Sequence, residues 1–170
     1  LLQAAATLTG TAVDIQGAGR TDAGVHALAQ VAHLETAKRM EPRRLMEGLN
    51  DLLPAGINIT AVVKASPRFH ARHHAQARSY VYLISRRRTA FGKRSVWWIK
   101  DRLDLTAMTE AGQLFQGFHD FVSFADKRSK KETSTQVLID RTELIEAGDL
   151  IVFRIAGSHF LWKMVRRIVG

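Results

Sequence analysis

The segment GRTDAGVHA, residues 19–27, places a single carboxylate near a guanidinium among small side chains. Asp22 follows Arg20 by two positions, and Gly19 and Gly24 lie on either side. One interpretation is a tight turn between two strands, because glycine and aspartate both favour turns. The other is a loop that lets a ligand reach the backbone, with Asp22 as base or nucleophile and an arginine favouring its ionised form. The spacing fits neither a dinucleotide-binding nor a P-loop motif.

The histidines give a weaker indication of function than the Asp22 segment does. His70, His73 and His74 cluster in FHARHHAQAR, where no cysteine or carboxylate stands at ligand spacing. We therefore expect a solvated or RNA-facing segment rather than a metal site. His26 and His119 each lack the further partner that a catalytic triad requires.

The charge balance points to a polyanionic partner. The chain has 25 Lys and Arg against 16 Asp and Glu, a net charge of +9. Nucleic acid is the first candidate and a membrane surface the second. Three basic runs lie close to aromatic residues, as RNA-binding surfaces do: 86–88 after Tyr80 and Tyr82, 93–94 before Trp97 and Trp98, and 127–131 after Phe121 and Phe124.

The composition excludes several classes of protein. Without cysteine the chain has no disulfide scaffold, zinc ribbon or thiol nucleophile. No apolar run approaches the length of a membrane-spanning helix, so we expect a cytoplasmic protein. The first residue is not methionine and the last residues follow a helical pattern. We expect this chain to be the middle of a longer protein.

The hydrophobic pattern predicts the elements that must position these residues. Alternation predicts strands, 3.6-residue spacing predicts helices, and a hairpin is expected near residue 148. Strands outnumber helices, which favours an α+β fold with largely antiparallel sheets. The predicted strands are 13–17, 25–35, 57–63, 79–85, 137–145 and 150–155, and the predicted helices are 1–8, 42–54, 105–117 and 160–169.

Four segments together resemble the tRNA pseudouridine synthase A family. They are GRTDAGVHA, FHARHHAQARSYVY, GFHDFVSF and GSHFLWKMVRRIVG, in the family's order and spread over the whole chain. The resemblance implies a pseudouridine synthase fold of two α+β halves whose mostly antiparallel sheets meet at a central catalytic cleft. Residues 1–75 would carry the aspartate loop, and residues 76–170 would complete the cleft.

The resemblance also implies a function. Members isomerise uridine to pseudouridine in the anticodon arm of tRNA, usually at positions 38, 39 and 40. They need no metal and no organic cofactor, and they act as homodimers. The expected partners are therefore tRNA and a second copy of the chain, with no membrane.

Site residues follow from the matched motifs. Asp22 matches the catalytic aspartate, Arg20 a residue that helps hold the target base flipped, and Arg166 the basic residue that pairs with the aspartate. Tyr80 matches the tyrosine that stacks on uracil, although it also fits a half-buried strand residue facing the same side as Tyr82. Phosphate contacts are expected, more weakly, from Arg86, Arg87, Arg88, Lys127, Arg128, Lys130 and Lys131.

The chemical route of Asp22 and two alternative functions stay open at this point. Asp22 could add to ribose C1′, add to uracil C6, or remove a ribose proton. A non-catalytic RNA-binding module is a second hypothesis, although binding alone does not need the carboxylate. A third is a phosphodiester-cleaving enzyme that uses Asp22 and His26, which would need a second acid or a metal cluster.

Overall fold

The computed structural model describes residues 1–126 and 134–170. The described residues form two compact units, Leu1–Ala75 and Gln76–Gly170, called here the N-terminal and C-terminal units. Within the described ranges, no helix combines the length and the apolarity that crossing a bilayer requires. Four residues predicted to bind RNA lie outside the described residues: Lys127, Arg128, Lys130 and Lys131.

The N-terminal unit packs two helices against a two-stranded antiparallel sheet. Gly10 ends the first helix with a left-handed φ of 67°, and Glu41 caps the second by accepting from the amide of Arg44 at 3.1 Å. Ala5, Leu45 and Leu49 form the buried centre. The elements are α1 (Leu2–Thr9), β1 (Val13–Gly17), β2 (Ala32–Thr36) and α2 (Pro42–Leu52).

Two strand predictions in this unit are wrong. The strand predicted over 25–35 is confined to Ala32–Thr36, and Leu28 in the preceding segment is 94% exposed. Residues 57–63 form no strand with any described residue. The Asn50 side chain instead accepts from the Ile59 amide at 2.7 Å and donates to its carbonyl at 3.0 Å. One side-chain amide thus satisfies backbone groups that a neighbouring strand would otherwise pair.

The C-terminal unit is a five-stranded sheet with its helices packed on one face. The sheet order is β4-β3-β7-β6-β5, antiparallel except for the β3–β4 pair. The β6–β7 pair is the predicted hairpin, and the α+β class with mainly antiparallel pairing is confirmed. The elements are β3 (Arg78–Ser85), β4 (Trp97–Trp98), α3 (Leu105–Gln113), β5 (Gly117–Asp120), a 3-10 turn (Val122–Phe124), β6 (Gln136–Ala147), β7 (Leu150–Gly157) and α4 (Met164–Val169).

The core of this unit lies between that face of the sheet and α4. Every apolar residue of the predicted terminal stripe packs there, but the helix begins at Met164 rather than near Phe160. Lys163 adopts a left-handed φ of 60°, which interrupts the helical path just before α4. Helix α3 likewise ends at Gln113, before the predicted Gly117. The two short strands β4 and β5 were not predicted, since two to four residues carry too little periodicity.

Candidate functional site

The loop that carries Asp22 joins β1 to β2 in the N-terminal unit. Its base is closed by a hydrogen bond from the Ala18 amide to the Val31 carbonyl at 2.8 Å. The Gln30 side chain donates to the Gly19 carbonyl at 2.7 Å, which ties the two arms of the loop together. This hairpin loop presents the GRTDAGVHA segment away from the core of its unit.

Asp22 lies in a turn at the far end of this loop. The Val25 amide donates to the Asp22 carbonyl at 3.0 Å, and Gly24 has a φ of 77° that strains any other residue. Asp22 is half-buried and Arg20 is exposed. A Cβ built on Gly19 or Gly24 would meet no described heavy atom within 4 Å. The segment is therefore a turn, and its backbone is open to solvent at both glycines.

Histidines fasten the FHARHH segment to the strands below this loop. The Ala71 amide donates to His33 Nδ1 at 3.1 Å, and His70 Nε2 lies 3.1 Å from Gln16 Oε1. Gln16 and His33 are paired neighbours on β1 and β2, one step before the loop begins. Ala71 is 2% exposed, so the segment is packed as well as hydrogen-bonded.

Arg72, His73 and His74 are exposed, as expected of a solvated segment, whereas His70 is half-buried and hydrogen-bonded. The Arg72 amide donates to His70 Nδ1 at 3.2 Å, and the His70 amide donates to His74 Nδ1 at 3.0 Å. Both nitrogens must then be unprotonated. Partial burial, followed by the charge that His73, His33 and His74 would carry, lowers the pKa of His70. No metal-binding group of three side chains occurs in ranges 1–126 and 134–170.

Tyr80 lies in the C-terminal unit on β3, opposite Ile155 on β7. Its ring centroid is 4.9 Å from that of Phe160, with the two planes at 76°. The side chain is half-buried against the core of the unit, as a strand tyrosine would be. Its partial exposure also fits a ring that a base could approach.

Arg166 is an exposed residue of α4, a helix of only six residues. The next residue, Arg167, holds this helix to the 3-10 turn. It donates from Nη1 to the Phe124 carbonyl and from Nη2 to Asp126, both at 3.0 Å. Asp126 is 6% exposed, so this ion pair is largely shielded from water. Sequence reasoning missed the pair, because 41 residues separate its members.

The GFHDFVSF segment serves the fold of the C-terminal unit. His119 Nε2 lies 2.7 Å from the Gln116 carbonyl, and Asp120 accepts from the Val122 amide at 3.0 Å. Phe121 is 2% exposed and belongs to the core. These contacts shape the turn that leads to Asp126.

The three consecutive arginines after β3 have different surroundings. Arg86 donates to the Gly148 carbonyl and lies 3.3 Å from Glu146, while Arg87 bonds Asp149 at 2.7 Å. Both therefore hold the turn between β6 and β7. Arg88 instead lies 5.7 Å from the centroid of the Trp98 ring. Arg86 and Arg87 thus stabilise the turn, whereas Arg88 places its cation near an aromatic ring.

The predicted site residues are divided between the two units. Arg20 and Asp22 share the β1–β2 loop, whereas Tyr80, the three arginines and Arg166 belong to the C-terminal unit.

The chain matches the family model described as tRNA pseudouridine synthase over residues 2–74 and 111–170. Asp22 and Arg166 fall inside the matched ranges, and Tyr80 falls outside them.

Individual relatives cover almost the whole chain. A protein of Rhodopseudomonas palustris (strain BisA53) named tRNA pseudouridine synthase A is 41% identical, over 100% of this chain and 70% of its own length. Proteins of the same name from Sinorhizobium medicae (strain WSM419) and Bacillus sp. (strain KSM-64) are 39% and 38% identical, covering 99% and 96% of this chain and 70% and 67% of their own lengths. The chain therefore belongs to the tRNA pseudouridine synthase family, a family of isomerases.

Proposed function

We propose that this protein isomerises uridine to pseudouridine in the anticodon stem-loop of tRNA, at positions 38 to 40. Membership of the family supports the reaction class, and the resemblance of the motifs supports the site in the RNA. The observation that carries the proposal is the Asp22 loop. It presents a half-buried carboxylate, with room beside Gly19 and Gly24, inside a segment that the family model matches.

The reaction sets the requirements for that loop. The bond between ribose C1′ and uracil N1 breaks, the base rotates, and a bond from C1′ to C5 forms. N1 gains a proton and C5 loses one, so the net composition of the nucleotide is unchanged. A carboxylate stabilises the electron-poor C1′ or forms a covalent adduct, as in glycoside cleavage. Asp22 is proposed for this role by any of the three routes, through C1′, C6 or a ribose proton.

The other site residues are proposed to assist Asp22. Extruding a base from a stem costs a few kcal/mol, and a side chain that fills the vacated space offsets part of that cost. The exposed position of Arg20 in the same loop supports this role. Arg166 is proposed to favour the ionised carboxylate, and Tyr80 to stack on the uracil. The aromatic ring of Tyr80 is already oriented by Phe160.

The proposal also covers the roles of the two halves of the chain, the oligomeric state and the cofactors. Residues 1–75 would supply the catalytic aspartate, and residues 76–170 would complete the catalytic cleft. The protein would act as a cytoplasmic homodimer and would use no metal or organic cofactor. The net charge of +9 supports an RNA substrate.

The test is release of tritium from tRNA labelled at uridine C5. We expect release with the unmodified full-length protein and a loss of roughly a thousandfold or more with Asp22→Asn. Asp51→Asn is the matched control, because it removes an exposed carboxylate from α2 in the same unit. Equal release by Asp22→Asn and the unmodified protein would reject Asp22 as the essential carboxylate.

Two other outcomes would reject the proposed function itself. Binding of tRNA without release by any variant would favour an RNA-binding module. Shortened RNA on a denaturing gel would favour phosphodiester cleavage with Asp22 and His26. Mapping the modified positions by chemical probing would test positions 38 to 40, and sedimentation would test the homodimer.

A further inference from the structure

We propose that Trp98 and Arg88 form a stacking platform for an unpaired RNA base on the C-terminal unit. This inference rests on the proposed function, because it names a part of the tRNA-binding surface. It concerns the edge of the five-stranded sheet, where β4 pairs with β3. The platform lies outside the ranges that the family model matches.

The first support is that the two tryptophans of β4 lie on opposite faces of the sheet. Successive strand residues point to opposite faces of a sheet. The Trp97 ring lies edge-on to Tyr82 at 6.3 Å, on the face that carries the core of the unit. Trp98 faces the other way, and the two side chains are equally exposed, at 43% for Trp97 and 42% for Trp98. Trp97 therefore contacts Tyr82 on the core face, whereas the exposed ring of Trp98 lies on the opposite face, where Arg88 approaches it.

The second support is that Trp98 is held by a fixed backbone. Trp98 is aligned with Ser85 on β3, and the following amide, of Ile99, donates to the Ser85 carbonyl at 3.0 Å. Ser85 is 2% exposed and its hydroxyl donates to the Arg87 carbonyl. A ring on such a support loses little conformational freedom when a base stacks on it.

The third support is the cation. Arg86 and Arg87 are held by carboxylates of the β6–β7 turn, whereas Arg88 lies 5.7 Å from the Trp98 ring centroid. Surfaces for single-stranded nucleic acid combine aromatic faces for bases with cations for phosphates. The loop between Arg88 and β4 adds two further cations, Lys93 and Arg94, and Phe91, which is 89% exposed. This charge favours RNA over a protein or a second copy as the occupant.

The test separates stacking from charge by measuring affinity at several salt concentrations. The probes are tRNA and a single-stranded oligouridine of about twelve nucleotides, within the usual span of such sites. Trp98→Leu should weaken binding roughly 5- to 100-fold and leave the salt slope unchanged. Trp98→Phe should retain most of the affinity, because it keeps a ring.

The arginine variants should give the complementary result. Arg88→Gln should lower the salt slope by about one, whereas Arg88→Lys should preserve it. Arg39→Gln removes an exposed arginine from the N-terminal unit and controls for the loss of one charge. Arg43→Gln combined with Glu47→Gln removes an exposed ion pair from α2 without changing net charge, and should alter binding less than twofold.

A second measurement covers the case in which Trp98→Leu does not fold. The chain has three tryptophans, so Trp97→Phe with Trp162→Phe leaves Trp98 as the only one. Saturating oligouridine should quench its emission. Unchanged emission, or an affinity of Trp98→Leu within twofold of the unmodified protein, would overturn the platform. A change in sedimentation without a change in RNA affinity would overturn it in favour of a protein partner.

These readouts are distinct from failure of the proposed function. Trp98→Leu should still release tritium at saturating tRNA, because the platform binds RNA and takes no part in bond breaking. If the unmodified protein releases no tritium but Trp98→Leu still loses oligouridine affinity, the isomerase proposal fails and the platform stands.

Discussion

The two units hold their motif residues in different ways. In the N-terminal unit, the GRTDAGVHA segment lies in a hairpin loop that is fixed by a few hydrogen bonds and leaves Leu28 94% exposed. In the C-terminal unit, the motif residues lie on a five-stranded sheet and on α4, packed around residues such as Ile155 and Met164 that are 0% exposed. The first arrangement leaves space for a ligand, and the second provides rigidity. Substitutions should therefore affect activity in the loop and stability in the sheet.

The largest stability effect is expected in the core of the C-terminal unit. Ile155→Ala removes a fully buried side chain from the centre of β7 and should lower the free energy of unfolding by about 2–5 kcal/mol. Leu28→Ala, in the Asp22 loop, should change it by less than about 0.5 kcal/mol. Urea denaturation of both variants measures the difference. Equal losses would show that the loop is packed as tightly as the sheet.

Alanine substitutions at glycines test the same difference between the Asp22 loop and the five-stranded sheet. A Cβ at Gly157 would lie 2.5 Å from the Leu138 carbonyl oxygen, so Gly157→Ala must displace backbone between β6 and β7. We expect a loss of about 1–3 kcal/mol. Gly19→Ala meets no described atom within 4 Å and should leave stability unchanged. It should slow uridine isomerisation, because its methyl group would meet a nucleotide that approaches the backbone of the Asp22 loop. Thermal unfolding and tritium release measure the two effects, and a reversed pattern would contradict the comparison.

Arg167 offers a test inside the C-terminal unit, where packing supports a proposed site residue. Asp126→Asn weakens the pair that holds α4 and should lower the free energy of unfolding by about 1–2 kcal/mol, a modest figure because Arg167 is 34% exposed. If the pair acts on isomerisation through Arg166, Asp126→Asn should slow turnover in the unmodified background. It should add little once Arg166→Ala is present. Fully additive losses in this double-mutant cycle would show that the pair affects turnover independently of Arg166, and unchanged turnover in Asp126→Asn would leave the pair with a role in folding alone.

The smallest effect is expected from the histidines of the N-terminal unit. Because the pKa of His70 is lowered in the folded protein, the unfolded chain takes up its proton first as the pH falls. The stabilising contribution is therefore complete above pH 6.5, the ordinary value for histidine, and declines as the pH falls from there toward the lowered pKa. Unfolding midpoints measured between pH 8 and pH 5 should show this decline. His70→Asn offers an uncharged acceptor in place of Nδ1 and should flatten it, and an unchanged decline would assign it to other groups.

Sequence patterns predicted the elements that have their own periodicity and failed where long-range contacts decide. The alternation predicted at 57–63 is not kept, since Ile59 and Val62 pack inward while Ile57 and Val63 are exposed, and Asn50 supplies the backbone partner that a strand would need. The apolar stripe after residue 160 was real, yet one left-handed residue delays α4. The proposed site residues rest on the resemblance of the motifs alone. The Asp126–Arg167 pair and the contacts of the FHARHH segment with β1 and β2 join distant segments. The spacing of residues in the sequence therefore cannot predict them.

Lys163 shows two preferences acting against each other at a single position. Its φ of 60° is a conformation that costs an ordinary residue about 1–2 kcal/mol relative to glycine. Its ammonium lies 4.4 Å from the centroid of the Trp162 ring, a contact worth about 0.5–1 kcal/mol at an exposed site. Because the contact offsets about half of the conformational cost, replacing lysine by glycine should raise the free energy of unfolding by less than about 1 kcal/mol. Valine and isoleucine would bear the conformational cost without the contact to Trp162. The start of α4 should therefore accept only a narrow set of residues during evolution.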